Sequence, residues 1–271
     1  MNKRLLLIIG AVSILLIVFI VLNMRTVTKP LQGIVGKPAS VSGLLAEAKK
    51  LEFQQDLLAA RSVYQKLVSE SPNSREVIDW QKKIEEINIK LLFSPIIIPK
   101  SVEYEIKAGD SLEKIAKEHK TTVELIMRSN NLKSDKILPG QKLKVWMAPF
   151  SIVVDKSQNT LILKSDEEII KTYIVSTGAN NSTPVGIFKV IEKIINPPWY
   201  KPGAVIPPGS PENILGSRWI GLDKEGYGIH GTREPQTLGR QVTAGCIRMS
   251  NPEVEELYSI VPAGTEVTIV D

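Results

Sequence analysis

The sequence predicts a multidomain chain: an N-terminal transmembrane helix, a small α-helical hairpin region, a βααβ module and a mostly-β, sandwich or barrel-like C-terminal domain. Three observations carry this reading. An uncharged apolar run opens the chain, helical periodicity follows it, and from Ser151 short β-rich runs alternate with turn signals. The 271 residues are 43% hydrophobic and 23% charged, a balance that folds, and suffice for two or three small domains. A formal charge of +5 suits an anionic polymer or membrane face. No Arg/Lys cluster with interleaved aromatics stands out, which argues against nucleic acid. One cysteine excludes an intrachain disulfide framework and leaves too few soft ligands for a structural zinc site.

Residues 1–4, "MNKR", precede "LLLIIGAVSILLIVFIVL" at 5–22. Roughly 20 such residues span the hydrocarbon core, where a helix satisfies its own backbone. No small-x-small cleavage signal follows in "NMRTVTKP", so the run is expected to persist as an anchor. Lys3 and Arg4 against Arg25 and Lys29 leave its orientation nearly balanced. Residues 23–43, rich in Pro, Gly and Ser, read as a linker. Residues 44–93 form the helical region: Leu44, Ala48, Leu51, Leu57, Ala60, Tyr64 and Leu67 fall near helical spacings. "SPNS" breaks this run before a further helix through Trp80 and Ile84. The pattern is similar to one tetratricopeptide-type hairpin. Solenoids need about three stacked repeats, so a spacer is the reading, with a partner-binding module as the alternative.

At residues 102–147 the texture changes. "YEIK" alternates like a strand, and "GDS" is a turn with Asp110 or Ser111 as a helix cap. Ile115 and Ala116 sit on an amphipathic helix, "TTVELIMRSNN" makes a second capped helix, and "ILPGQKLKV" supplies a turn and closing strand. His119, at a helix end, reads as a solvated or capping residue. With its leading Tyr104, "GDSL", "IA", the Asn before the second loop and "LPGQKL", the stretch resembles a LysM module. The resemblance implies binding to N-acetylglucosamine-containing glycans such as peptidoglycan. The implied groove is formed by Gly109, Asp110, Ser111 and Leu112, and by the loop from Asn131 through Pro139 to Gly140.

Residues 150–271 make the C-terminal domain. Its β-rich runs are "SIVVD", "TLILK", "IIKTYIVS", "GIFKVIEKI", "RWIGL", "YGIH" and "EVTIV". One helix, "NPEVEELYSIV", has Asn251 as its expected cap and Pro252 at its first position. Here sit the only cysteine and one of two histidines. Cysteine attacks as thiolate, and a free pKa of about 8.5 leaves little of it ionised at neutral pH. A histidine beside it takes the proton and later delivers it to a leaving amine. His230 closes "YGIH" and Cys246 follows a glycine-containing loop, so the intervening residues can fold back and join them. Gly245 leaves room beside the nucleophile, and its N–H with that of Cys246 can face an oxyanion. Arg248 shares the face of Cys246 in an extended segment, where it can pair with a substrate carboxylate. On spacing alone, a buried structural cysteine and a structural histidine remain the alternative.

"GYGIHGTREPQTLGRQVTAGCIRMSN", with "STPVGIFKV" and "NPPWYKP…IPPG…NILGSRWIGL" upstream, resembles the signature of L,D-transpeptidases with a YkuD-type catalytic domain. The resemblance implies Cys246 as nucleophile, His230 as its base, the Gly231 carbonyl as orienter of the imidazole, and Gly245 with Cys246 as oxyanion hole. Arg248 matches a substrate-holding position, although many members carry Asn there. Thr243 keeps the hydroxyl of the Ser-His pair that precedes Gly-Cys in many members, whereas Ala244 lacks the imidazole. Thr243, Trp199, Tyr200 and Trp219 are assigned to the donor cleft, with packing as the alternative for the aromatics; Arg233, Arg240 and Lys201 read as solvated charge.

The implied activity is acyl transfer on peptidoglycan stem peptides through a cysteine thioacyl-enzyme, with release of terminal D-alanine and no need of a metal or organic cofactor. Such a substrate puts the residues after Leu22 on the outer side of the cytoplasmic membrane, in the bacterial envelope. The implied partners are glycan strands, stem peptides and the membrane. An L,D-carboxypeptidase or endopeptidase hydrolysing the same thioester uses the same residues, and a non-catalytic cell-wall tether is the reading from another class.

Overall fold

The computed structural model describes residues 40–201 and 203–271. The apolar run at 5–22 and most of the linker lie outside the described residues; among those described, no helix is long and apolar enough to cross a membrane. The chain divides into two compact units, 1–84 and 85–271.

In the first unit α1 (Val41–Phe53) and α2 (Leu57–Glu70) form the expected hairpin. Ser40 Oγ accepts from the Gly43 N–H and Asp56 Oδ1 from the Ala59 N–H, each at 3.1 Å, so both helices start on a side-chain cap. Leu44, Ala48, Leu57, Ala60, Tyr64 and Leu67 are buried, as their spacing predicts, while Leu51 is half-buried. After the "SPNS" break comes α3 (Val77–Leu92), in which the boundary between the units falls.

The second unit begins with the predicted βααβ module. β1 (Ser101–Glu105) pairs antiparallel with β2 (Lys142–Trp146), and α4 (Leu112–Glu118) and α5 (Val123–Ser129) lie between them in sequence. Ile106, Leu112, Ile115, Ile126, Leu143 and Val145 make its core. Ser111, not Asp110, caps α4, its Oγ accepting from the Lys114 N–H at 3.2 Å. Lys144 is buried within β2 and donates from Nζ to Leu91 O at 2.6 Å and Ser94 O at 2.9 Å. It thereby adds a cationic donor at the C-terminal end of α3, where carbonyls point out of the helix. Burial pushes its pKa down to about 8.

The C-terminal part is β-rich as expected. Its strands are β3 (Phe150–Asp155), β4 (Thr160–Ser165), β5 (Glu168–Ile174), β6 (Thr177–Gly178), β7 (Gly186–Ile195), β8 (Trp199–Lys201), β9 (Ala204–Ile206), β10 (Arg218–Leu222), β11 (Gly228–His230), β12 (Gln241–Thr243), β13 (Ile247–Arg248) and β14 (Glu266–Val270). Eight of them form one curled sheet in the order β13-β11-β10-β7-β14-β3-β4-β5, rather than two facing sheets. The cause lies in β7, whose first residues pair with β14 and whose later ones pair with β10. One long strand thus carries the sheet from the half around β14 to the half that holds β10, β11 and β13. β14, last in sequence, inserts between β7 and β3 and runs parallel to β3. α6 (Asn251–Ile260) buries Val254, Leu257 and Ile260. Its cap is Ser250 rather than Asn251. Ser250 Oγ accepts from the Glu253 N–H at 3.4 Å and donates to Glu253 Oε2 at 2.6 Å, so the cap hydroxyl is bonded twice within the first turn. Asn251 is thereby free to tie two loops together: its Oδ1 accepts from the Ser217 N–H at 3.0 Å and its Nδ2 donates to Thr232 O at 2.9 Å.

Candidate active site

β11 and β13 run parallel, with Ile229 opposite Ile247 and His230 opposite Arg248. Side chains alternate between the faces of a strand. His230 and Gly228 on one strand and Arg248 on the other therefore share a face, and Cys246, in the bend just before β13, has its thiol within reach of the Gly228 N–H and the Arg248 charge. β10 extends that face, with Trp219 opposite His230 and Gly221 opposite Gly228. The two glycines leave a bare floor on which the Trp219 indole lies. A Cβ on Gly228 would stand 2.6 Å from Trp219 Cζ2, and one on Gly221 2.8 Å from Nε1. The indole Nε1 donates to Glu192 Oε1 at 2.9 Å, and its ring stacks on the imidazole with centroids 6.0 Å apart and planes 24° from parallel.

His230 is buried, and its Nδ1–H donates to the Gly231 carbonyl at 2.7 Å. That bond fixes the tautomer and leaves Nε2 as the basic nitrogen. Burial pushes the imidazole pKa down to about 4; the Gly231 and Leu215 carbonyls oppose the fall and the Arg248 charge adds to it. Cys246 is half-buried, and its thiol donates to Gly226 O at 3.4 Å. Burial pushes the thiol pKa up, partly offset by the Gly228 N–H and the Arg248 charge. The resting pair is a neutral thiol and a neutral imidazole, with the thiol bonded to a carbonyl rather than to the ring.

The loop that carries Cys246 is held from two sides. Thr243 Oγ1 donates to Cys246 O at 2.6 Å and accepts from the Gly245 N–H at 3.2 Å. Thr183, 1% exposed, donates from Oγ1 to Gly245 O at 2.8 Å and accepts from the Gly178 N–H at 2.7 Å. Gly245 has φ of +141°, and a Cβ there would stand 2.7 Å from Tyr227 Cε1. Only glycine fits both conditions. Thr243, expected to touch substrate, is buried with its hydroxyl engaged inside the loop. Arg248, expected to clasp a substrate carboxylate, is 8% exposed and donates from Nη1 to Glu234 Oε2 at 3.1 Å and Thr237 Oγ1 at 3.2 Å. Sequence reasoning misses Thr183: "STPVGIFKV" enters only as part of the family signature, and nothing in its spacing points to Gly245.

A model of the L,D-transpeptidase catalytic domain (YkuD) matches residues 149–269, and a LysM domain model matches residues 104–146. The YkuD protein of Bacillus subtilis (strain 168), named as an L,D-transpeptidase, is 35% identical over 173 residues, covering 61% of this chain and 97% of its own length. The chain belongs to the L,D-transpeptidase family. YqjB of the same organism, also named as an L,D-transpeptidase, is 43% identical over 126 residues, covering 44% of this chain and 70% of its own length. A solved L,D-transpeptidase from Mycobacterium smegmatis aligns at 22% identity with a TM-score of 0.41, covering 50% of this chain and 65% of that one. Membership makes the C-terminal part an acyltransferase domain. Together with the LysM domain it directs the L,D-transpeptidase to peptidoglycan in the cell envelope.

Elsewhere in this L,D-transpeptidase, the aromatics expected at the donor cleft divide. Trp219 lies on the face of His230, whereas Trp199 is half-buried and Tyr200 73% exposed on a β8–β9 hairpin that joins Trp199 to Ile206. In the LysM module Gly109, Ser111, Asn131, Pro139 and Gly140 are exposed. The Gly140 N–H donates to Ile106 O at 2.8 Å, drawing the second loop beside the strand that leads into the first. Asp110 turns inward instead, accepting from the Lys107 N–H at 2.8 Å and the Tyr104 hydroxyl at 2.9 Å. The Lys107 N–H, foremost, holds its carboxyl below the usual range. Leu112 is fully buried in the core, so its side chain does not line the expected groove. His119 is the C-cap of α4, as one expectation had it, but its ring is not solvated: Nε2 is buried and the ring meets Tyr104 edge-on at 5.5 Å. Asn130, unlike exposed Asn131, is a staple, with Nδ2 donating to Lys144 O at 2.8 Å and Oδ1 accepting from the Lys144 N–H at 2.7 Å.

Proposed function

We propose that the chain is a peptidoglycan L,D-transpeptidase that forms cross-links through a Cys246 thioacyl-enzyme. The observation that supports this most is the Cys246 thiol lying within reach of the strand that carries His230, with the imidazole held through Nδ1 by the Gly231 carbonyl. An imidazole with a pKa of about 4 is neutral at pH 7, so Nε2 carries no proton of its own when the donor arrives. Because the thiol pKa is raised, proton transfer accompanies attack instead of preceding it.

In the first stage Sγ attacks the carbonyl of the third residue of a tetrapeptide stem, and the thiol proton passes to Nε2. Collapse of the oxyanion breaks the C–N bond, and Nε2 returns the proton to the departing D-alanine amine. In the second stage an amine of a neighbouring stem attacks the thioester and yields a proton to Nε2. The sulfur leaves and recovers that proton as a thiol. One amide is made for one lost. The Cys246 N–H faces the oxyanion, joined by the Gly245 N–H once it releases Thr243 Oγ1. Trp219 walls the donor side and holds His230 in place, and Arg248 acts on both reacting groups through its charge. The exposed LysM loops hold glycan, and residues 5–22 anchor the chain with the rest outside.

Incubating the full chain with tetrapeptide muropeptides, followed by mass spectrometry, tests the reading. Dimers lacking one terminal residue are expected, and none with Cys246→Ala. Trimmed tripeptides without dimers would identify a carboxypeptidase and defeat the cross-linking claim. Unchanged products in Cys246→Ala would defeat the enzyme reading altogether.

A further inference from the structure

The structure assigns Glu192 a part in substrate choice by this L,D-transpeptidase: its carboxylate receives an ammonium group carried by a stem-peptide side chain. The assignment rests on the acyl-transfer reading above and says which side chains that reaction favours. Along the register, Glu192 on β7 lies opposite Gly221 on β10, and Gly221 lies opposite Gly228 on β11. Directly paired residues point to one face, so Glu192 stands on the face that carries His230. A Cβ on Gly221 would stand 2.6 Å from Glu192 Cγ and 2.8 Å from Oε1. The side chain therefore folds back across β10, towards β11 and the Cys246 thiol beside Gly228.

The carboxylate is held in place but not neutralised. Oε1 accepts from Trp219 Nε1 at 2.9 Å, a neutral donor, and among the described residues no cation pairs with this exposed glutamate. Lys193, its chain neighbour, is turned to the Tyr258 ring, with Nζ 4.2 Å from the centroid. Between the carboxylate and the thiol lies the Trp219 indole, spread over the two glycines from Gly228 to Gly221. The floor here is thus an apolar strip that ends in an anion. Such a strip recognises an aliphatic side chain that ends in a cation, with methylenes on the ring and the ammonium at the oxygens.

The reach fits the proposed chemistry. Neighbouring strands lie about 5 Å apart, which puts the carboxylate on the order of 10 Å from a thiol beside the next strand. An ammonium on a four-carbon stem stands about 6 Å from its own Cα, and the acyl carbonyl and sulfur add about 3 Å. A thioacyl residue with such a side chain laid along the indole therefore brings its ammonium to Glu192. In the proposed reaction the attacking amine belongs to a stem side chain, and donor and acceptor are stems of the same kind. Two ammonium groups of one chemistry are thus available: that of the acylated donor residue, and that of the acceptor before it loses a proton and attacks.

The test uses the full chain at low salt and a pair of tetrapeptide donors, one whose third residue ends in an ammonium and one with a hydroxyl in its place. Two ratios are read by mass spectrometry. The first is the single-turnover rate of terminal-residue release, ammonium donor over hydroxyl donor. The second is the partition of the thioester made from the hydroxyl donor, dimer over hydrolysed tripeptide, at a fixed acceptor concentration. Loss of a merely structural support would slow both members of each ratio alike, and glutamine keeps an oxygen for the Trp219 N–H. Glu192→Gln is expected to lower at least one ratio by about threefold or more, the scale of an exposed ion pair, and Glu192→Lys to lower it further. A fall in the first ratio assigns the donor's ammonium, and a fall in the second assigns the acceptor's. Both ratios unchanged in Glu192→Gln would overturn the assignment. Release from neither donor by wild type would instead overturn the acyl-transfer reading.

Discussion

Replacing Thr183 with valine keeps the shape of the side chain and removes only its hydroxyl. That oxygen bonds Gly245 O at 2.8 Å and the Gly178 N–H at 2.7 Å, and the residue is 1% exposed, so water cannot take its place. Each stranded buried partner costs about 1–3 kcal/mol, so the pair should cost about 2–6 kcal/mol of stability. The kinetic effect follows from Gly245 being the residue before the proposed nucleophile, Cys246. A shift of about 1 Å in a reacting group is worth roughly a hundredfold in rate. Thr183→Ser supplies the reference, because it retains both bonds and loses a methyl group. Denaturant unfolding gives the stability difference, and the rate of carbapenem acylation, followed by mass spectrometry, gives the kinetic one. If Thr183→Val matches Thr183→Ser in both, the loop is not held from below and the reasoning is wrong.

Gly245→Ala should abolish acylation by placing a methyl 2.7 Å from Tyr227 Cε1. Adding Tyr227→Ala should recover part of the rate if the clash dominates and none if the φ of +141° does, which carbapenem capture distinguishes. Because the folded His230 pKa lies near 4, below its usual 6.5, the group favours the folded state fully above about pH 6.5. That contribution should fade as pH falls towards 4, by up to about 3 kcal/mol, and unfolding midpoints of His230→Gln should lack the decline. Lys144 sets a second window, since its folded pKa of about 8 lies below the ordinary 10.5. Stability should rise as pH climbs between these values, because the unfolded chain alone keeps the proton there; Lys144→Met should flatten that slope in a pH series of unfolding curves.

Local chemistry was readable from sequence wherever one segment determines its own structure. The cap at Ser111 and the period-2 runs are of this kind. What stayed hidden depends on distant partners. The β8–β9 hairpin is masked by the prolines of "PPWYKPGAVIPPG", which read as loop. The insertion of β14 between β7 and β3 is a non-sequential pairing that no local pattern encodes. Lys144 sits in an alternating strand, but its burial depends on carbonyls at Leu91 and Ser94, far away in sequence. The Arg248 charge reaches Cys246, yet Glu234 and Thr237 decide what its guanidinium does.

The resting state of the thiol has a further consequence. Oxidation by peroxide follows thiolate character, and sulfinic and sulfonic acids are not readily reversed. With burial raising the Cys246 pKa and the proton directed to Gly226 O, the sulfur is a poor target until a donor carbonyl arrives. An enzyme with one cysteine has no resolving partner to rescue it as a disulfide. Its protection lies in staying protonated, and the neutral pair that slows idle chemistry also preserves the nucleophile between turnovers.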